Sequence, residues 1–95
     1  MSAYMVIDIE PADAARMSEY TAGSLPVLER HGGRVIAFDP QARPLEGGWT
    51  PHQMIIVEFP SKDAISAYLD SPEYRPWKTI RQAHSRGRSV AVEAL

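Results

Sequence analysis

"HQMIIVEFP", His52 to Pro60, decides the fold. It is rich in β-branched residues and ends at a proline, so it reads as a strand. Alternation puts His52, Met54, Ile56 and Glu58 on one face and Gln53, Ile55, Val57 and Phe59 on the other. The second set is mostly apolar, and the first carries Met54 and Ile56 between His52 and Glu58. Downstream, Ser61 is placed to cap a short helix through about Leu69, with Asp63 in its positive first turn. Ser71 then caps a second helix, with Pro72 at its first position and Glu73 behind it, running to about Ser85. "RGRSVAVEAL" closes the chain as a strand.

Upstream, Asp39 to Pro51 holds three prolines and two glycines and reads as a loop. Arg34 to Phe38 is a strand, and His31 to Gly33 a glycine-terminated helix end. The helix before it opens at Pro11, and Pro26 is expected to divide it into two pieces near Gly23–Ser24. Met17, Tyr20, Ser24 and Val27 share one of its faces. The first strand, "AYMVIDIE", points Met5, Ile7 and Ile9 one way and Tyr4, Val6 and Asp8 the other.

The order strand, helix, strand, strand, helix, strand predicts an α+β, ferredoxin-like βαββαβ protomer, a four-stranded antiparallel sheet with helices on one face. The second face carries Val6, Met54 and Ile56, too apolar to leave in water. A second copy laid sheet to sheet is the simplest cover, so a homodimer is expected.

The chain has 95 residues, a net charge of −2, and no cysteine. Its ten Lys and Arg form no basic run, which argues against a nucleic-acid partner. The lack of cysteine removes disulfides, thiolate metal sites and a thiol nucleophile, and fits a reducing cytoplasm. The first residues lack the basic start of a signal peptide, and no apolar run approaches the roughly 18 residues of a membrane span. The three histidines have no ligand spacing, and no phosphate loop or dinucleotide fingerprint occurs. No metal or other cofactor is expected.

The segments "HGGRVI", "PLEGGW", "IIVEFPSKDAISAYLDSPEYRPWKTIRQ" and "VAVEAL" resemble, in order and spacing, the domain-of-unknown-function family 1330 (DUF1330) of the dimeric α+β barrel superfamily. The resemblance runs from Tyr4 to Glu93. It implies a ferredoxin-like protomer in a face-to-face dimer. The superfamily includes cofactor-free monooxygenases, lactone isomerases, haem enzymes, cyclases and ligand sensors, so the fold alone selects no reaction. Where relatives read arginine-glycine-glycine after the second strand, this chain has Phe38-Asp39-Pro40, an aromatic in place of a cation.

Two groups of residues carry candidate chemistry. On the second helix of the pair, Tyr74, Trp77, Arg81 and His84 fall within an arc of about 80°. They read either as a pocket wall or as plain packing, with Arg81 pairing with Glu58 in the empty protein. As a wall, the rings stack on a planar ligand, Arg81 pairs with its carboxylate or enolate, and His84 exchanges a proton. On the sheet, Glu58, His52 and Asp8 are expected to share the dimer cavity as acid and base. Glu46, beside Gly47 and Gly48, suits a loop that closes over a ligand, and Phe38 is a further ligand contact. Trp49 reads as a lid ring or a dimer contact. The function expected is a cofactor-independent enzyme of isomerase, cyclase or monooxygenase type on a small, planar or acidic metabolite. The alternative is a non-catalytic binding or sensing dimer with the same small-molecule cavity.

Overall fold

The computed structural model describes residues 2–95. Its elements are β1 (Ala3–Pro11), α1 (Ala14–Arg30), β2 (Arg34–Asp39), β3 (Gln53–Phe59), α2 (Lys62–Asp70), α3 (Arg75–His84) and β4 (Ser85–Glu93). The strands form one antiparallel sheet in the order β2-β3-β1-β4. This is the ferredoxin-like arrangement expected from the order of elements.

Strand parity sorts the sheet as the sequence predicts. Met5, Val57 and Phe59 face the helices and are buried with Val27, Leu28, Ile65, Tyr68 and Tyr74. Phe59, Tyr68 and Tyr74 are each 1% exposed, and such rings are the largest contributors of buried area in a core this small. Tyr4, Val6, Asp8, Met54, Ile56 and Glu58 take the opposite face, which no helix covers among the described residues, although the loop between β2 and β3 reaches over its Asp8 end. On that face Val90 and Val92 of β4 are 60% and 47% exposed.

Three boundaries differ from the sequence reading. Pro11 ends β1 rather than opening α1; Asp13 is the cap, its carboxylate accepting from Arg16 N at 3.1 Å. Pro26 does not divide α1, which runs unbroken from Ala14 to Arg30. Pro26 and Ala22, whose carbonyl loses its partner, both lie on the exposed side, where the orphaned oxygen is open to solvent. Val27 and Leu28, anchored in the core, hold the last turn in place. Finally, α3 starts at Arg75, not at Ser71. Ser71 instead organises the turn before it, accepting from Tyr74 N at 3.2 Å and donating to Tyr68 O at 2.8 Å.

A bulge in β2 between Val35 and Ala37 resets parity along that edge strand. Val35 and Phe38 lie opposite Val57 and Ile55 on the helix side, whereas Ala37 lies opposite Ile56 on the open side. At the other end of α1, the chain turns into β2 through Gly32, whose φ of 85° few other residues adopt.

Candidate functional site

Between the sheet and the helices lies a cavity of about 220 Å³. Its floor is apolar, built from Met5, Ile7, Ile55 and Val57, with Leu25 and Val35 towards the edge. Its polar end is a chain of three side chains from two helices. Tyr20 of α1 and Tyr74 at the start of α3 share a hydrogen bond of 2.6 Å between their hydroxyls. Arg81 Nε donates to the Tyr74 hydroxyl at 3.1 Å. The Tyr68 ring packs on Tyr74 at 4.4 Å between centroids. Lys78, one turn before Arg81 on α3, also lines the cavity.

Burial governs the phenols. It pushes the Tyr20 hydroxyl well above the ordinary tyrosine range, and the nearby Tyr74 hydroxyl pushes it the same way while Arg81 opposes them. Tyr68 is pushed up further, again first by burial and then by Tyr20 and Tyr74. Both are therefore held as neutral hydrogen-bond donors at neutral pH. Arg81 makes no ion pair among the described residues, so the rest of its guanidinium fork is free for an anionic group. Donors and a fixed cation around an apolar space suit a flat molecule bearing one acidic oxygen.

The residues nominated from sequence divide between this cavity and the opposite face. Tyr74 and Arg81 line the cavity. Trp77, from the same helix, does not; its ring lies against Gly23 of α1. His84 ends α3, and its backbone carbonyl accepts from Ala12 N at 2.8 Å. Phe38 lies on the helix side by register but is 58% exposed and outside the cavity lining. Glu46 is exposed in the loop between β2 and β3, where Gly47 and Gly48 have φ of 95° and 63°.

The expected pairing of Arg81 with Glu58 does not occur. Glu58 is on the open face and bonds Arg34 at 2.8 Å. Nor does Glu58 join Asp8 and His52. It lies opposite Tyr4, whereas Asp8 lies opposite Met54, four residues or about 13 Å along β1. Asp8 and His52 do meet. The buried Asp8 carboxylate accepts from His52 N at 2.9 Å and lies 3.3 Å from its Nδ1, while His52 Nε2 is 3.4 Å from Glu10. Arg88 Nε approaches Asp8 at 3.8 Å, and its guanidinium sits 5.4 Å from the Trp49 ring centre. This cluster ties the end of the β2–β3 loop to the sheet.

Tyr20, Tyr68 and Lys78 belong to the cavity and were not singled out from sequence. For Tyr20 the signal was present, since it shares a helix face with Met17, Ser24 and Val27. Nothing in the chain marks that face as the one meeting α3.

The βαββαβ order, with both helices on one side of an antiparallel sheet and a cavity between the layers, defines a ferredoxin-like domain with an internal small-molecule-sized pocket. The family model described as Domain of unknown function (DUF1330) matches residues 2–95, and the chain belongs to that family. No functionally curated protein matches it. Among solved structures, a protein of unknown function from Rhodopseudomonas palustris is 25% identical, with a TM-score of 0.83 over 99% of this chain and 82% of that one. The cofactor-independent oxygenase SnoaB from Streptomyces nogalater is similar in fold, at 17% identity and a TM-score of 0.70 over 99% of this chain and 93% of its own. A dimeric ferredoxin-like protein of unknown function from Jannaschia sp. CCS1 is 16% identical, with a TM-score of 0.66 over 99% of this chain and 100% of that one. Among the described residues no helix is long and apolar enough to cross a membrane.

Proposed function

We propose that the protein is a cofactor-independent enzyme acting on a small, planar, acidic molecule held in the cavity between the sheet and the helices. The observation that carries this reading is Arg81, a cation without a carboxylate partner among the described residues, joined to the buried Tyr74 hydroxyl and through it to the half-buried Tyr20 at the polar end of an apolar space. An enol or phenol bound with its oxygen there loses its proton more readily than in water. The oxyanion gains a charge-assisted bond from Arg81 and a second from Tyr74 in a low-dielectric setting. The lining holds no carboxylate or imidazole, so the proton passes to solvent, and the Lys78 side chain adds a second cation near the oxyanion. The resulting stabilised enolate is the species from which isomerisation, cyclisation and direct oxygenation all start. That SnoaB is described as a cofactor-independent oxygenase supports this class.

A homodimer in the cytoplasm completes the proposal. Sheet-to-sheet association is supported by the uncovered apolar face and by the dimeric Jannaschia relative. The absence of cysteine suits a reducing compartment.

A second reading, a non-catalytic binding or sensing dimer, is favoured by one observation: burial keeps Tyr20 and Tyr68 protonated, as donors rather than bases. Proton exchange separates the two. In D₂O, exchange of the acidic methylene of acetylacetone, followed by NMR, is expected to accelerate with the wild-type protein and to fall back to the buffer rate with Arg81→Lys. Saturable binding of acetylacetone without accelerated exchange selects the sensing reading. No binding of acetylacetone or of 1-naphthol refutes both.

A further inference from the structure

A glycine in the middle of a helix weakens it by about 1 kcal/mol relative to alanine. α1 nevertheless carries Gly23 near its centre, half-buried. The reason is the indole of Trp77: a Cβ at Gly23 would overlap its six-membered ring at Cη2, Cζ2 and Cζ3. Gly23 lies three residues after Tyr20, and Trp77 three after Tyr74. On each chain segment the two residues are therefore neighbours on one helical face. The same seam between α1 and α3 thus holds the tight Gly23–Trp77 contact and the 2.6 Å hydroxyl pair.

We propose that Gly23 and Trp77 are positioning residues for the cavity, their contact setting the separation of α1 and α3 at which the Tyr20 and Tyr74 hydroxyls meet. The tolerance is small. Moving the helices apart by about 1 Å takes a short hydroxyl–hydroxyl bond beyond hydrogen-bonding distance. Tyr74 would then keep Arg81 but lose Tyr20, and its hydroxyl, no longer held between the two, would lose its fixed aim at the oxyanion. Trp77, absent from the cavity lining, acts through this spacing and not by touching a ligand. The consequence for a ligand rests on the cavity reading above. The joint itself is measurable without any ligand.

The test is an ultraviolet titration of tyrosinate in Gly23→Ala, Trp77→Leu and the double variant, each first shown to be folded by circular dichroism. In the wild type, burial first and the Tyr74 hydroxyl second raise the Tyr20 hydroxyl above the ordinary tyrosine range. Gly23→Ala is expected to bring one more tyrosine into the ordinary titration range and to weaken 1-naphthol binding about tenfold. The double variant, where the new methyl occupies part of the space left by the indole, is expected to move back towards wild type. A merely structural glycine would change the melting temperature and leave the titration alone. If Gly23→Ala does not fold, Trp77→Leu carries the test, since it loosens the same joint without a clash. Folded variants that titrate like the wild type overturn the proposal. A shifted titration with unchanged 1-naphthol affinity supports the joint and counts against the cavity as the binding site.

Discussion

Arg81 binds the Tyr74 hydroxyl through Nε and has no ion-pair partner among the described residues. Its place on a helical face with Tyr74 was legible from spacing; its partner was not. The parity that sends Glu58 to the open face removes it from α3, and the Tyr74 hydroxyl takes its place at 3.1 Å. With no carboxylate to compensate, Arg81→Lys keeps the charge but loses the planar fork. Affinity for 1-naphthol is expected to fall at least about tenfold in isothermal titration, with the melting temperature within about 2 °C of wild type. Unchanged affinity with lost stability would make Arg81 a packing residue. The phenols give a pH prediction. Burial raises Tyr20 and Tyr68 in the folded state above their unfolded value, so their contribution to stability is whole below about pH 10. Above it the unfolded chain releases those protons first, and stability falls as pH rises. Thermal melts from pH 8 to 11 are expected to show this decline, and Tyr20→Phe with Tyr68→Phe to flatten it. An equal decline in the double variant would assign the alkaline loss elsewhere.

Helix and strand signals in the chain differ in kind. Strand parity is a local property of the chain, and it placed Val57 and Phe59 in the core correctly. Breakers act through context. Pro26 costs α1 one backbone bond, but on a side open to solvent, while Val27 and Leu28 keep the helix going. The β2 bulge is invisible in "RVIAFD" because no glycine or proline marks it. Ser71 was recognised as a cap, yet it caps the turn that sets up α3 and not α3 itself. Ser71 and Tyr74 are the buried residues of that turn, and Ser71 makes two hydrogen bonds in it, with Tyr68 O and Tyr74 N. Ser71→Ala is therefore expected to cost about 1–3 kcal/mol in urea melts, above the level of an exposed cap. Ser71→Gly is expected to do no better, because the loss is of the hydroxyl. A change under about 0.5 kcal/mol would show that the turn is held by Tyr68 and Tyr74 packing alone.

Among the described residues the helices form one layer on one face of the sheet, and on the other face only the loop between β2 and β3 reaches in, at the Asp8 end. The uncovered face is continuous across strands. Val6 lies between Ile56 of β3 and Val90 of β4, and Tyr4 is paired with Val92. That this face exists was legible from alternation in β1 and β3. The Asp8–His52–Arg88 cluster at one end was only partly legible, because it needs the loop carrying Trp49 and His52 to fold back onto β1. Met54 is the most informative site on the face. It is half-buried in the lone protomer, beside Trp49 and Val6, and lies opposite Asp8 in the register. Met54→Asp places a second carboxylate beside the buried one, inside the proposed sheet-to-sheet interface. An unpaired charge there is expected to cost several kcal/mol of association, which dissociates a dimer at micromolar concentration. Ser66→Asp, on the exposed side of α2, adds the same charge away from the sheet and serves as the control. Light scattering after size exclusion is expected to give a dimer for the wild type and Ser66→Asp and a monomer for Met54→Asp. A dimer in all three would mean that the copies meet elsewhere and that this apolar face has another occupant.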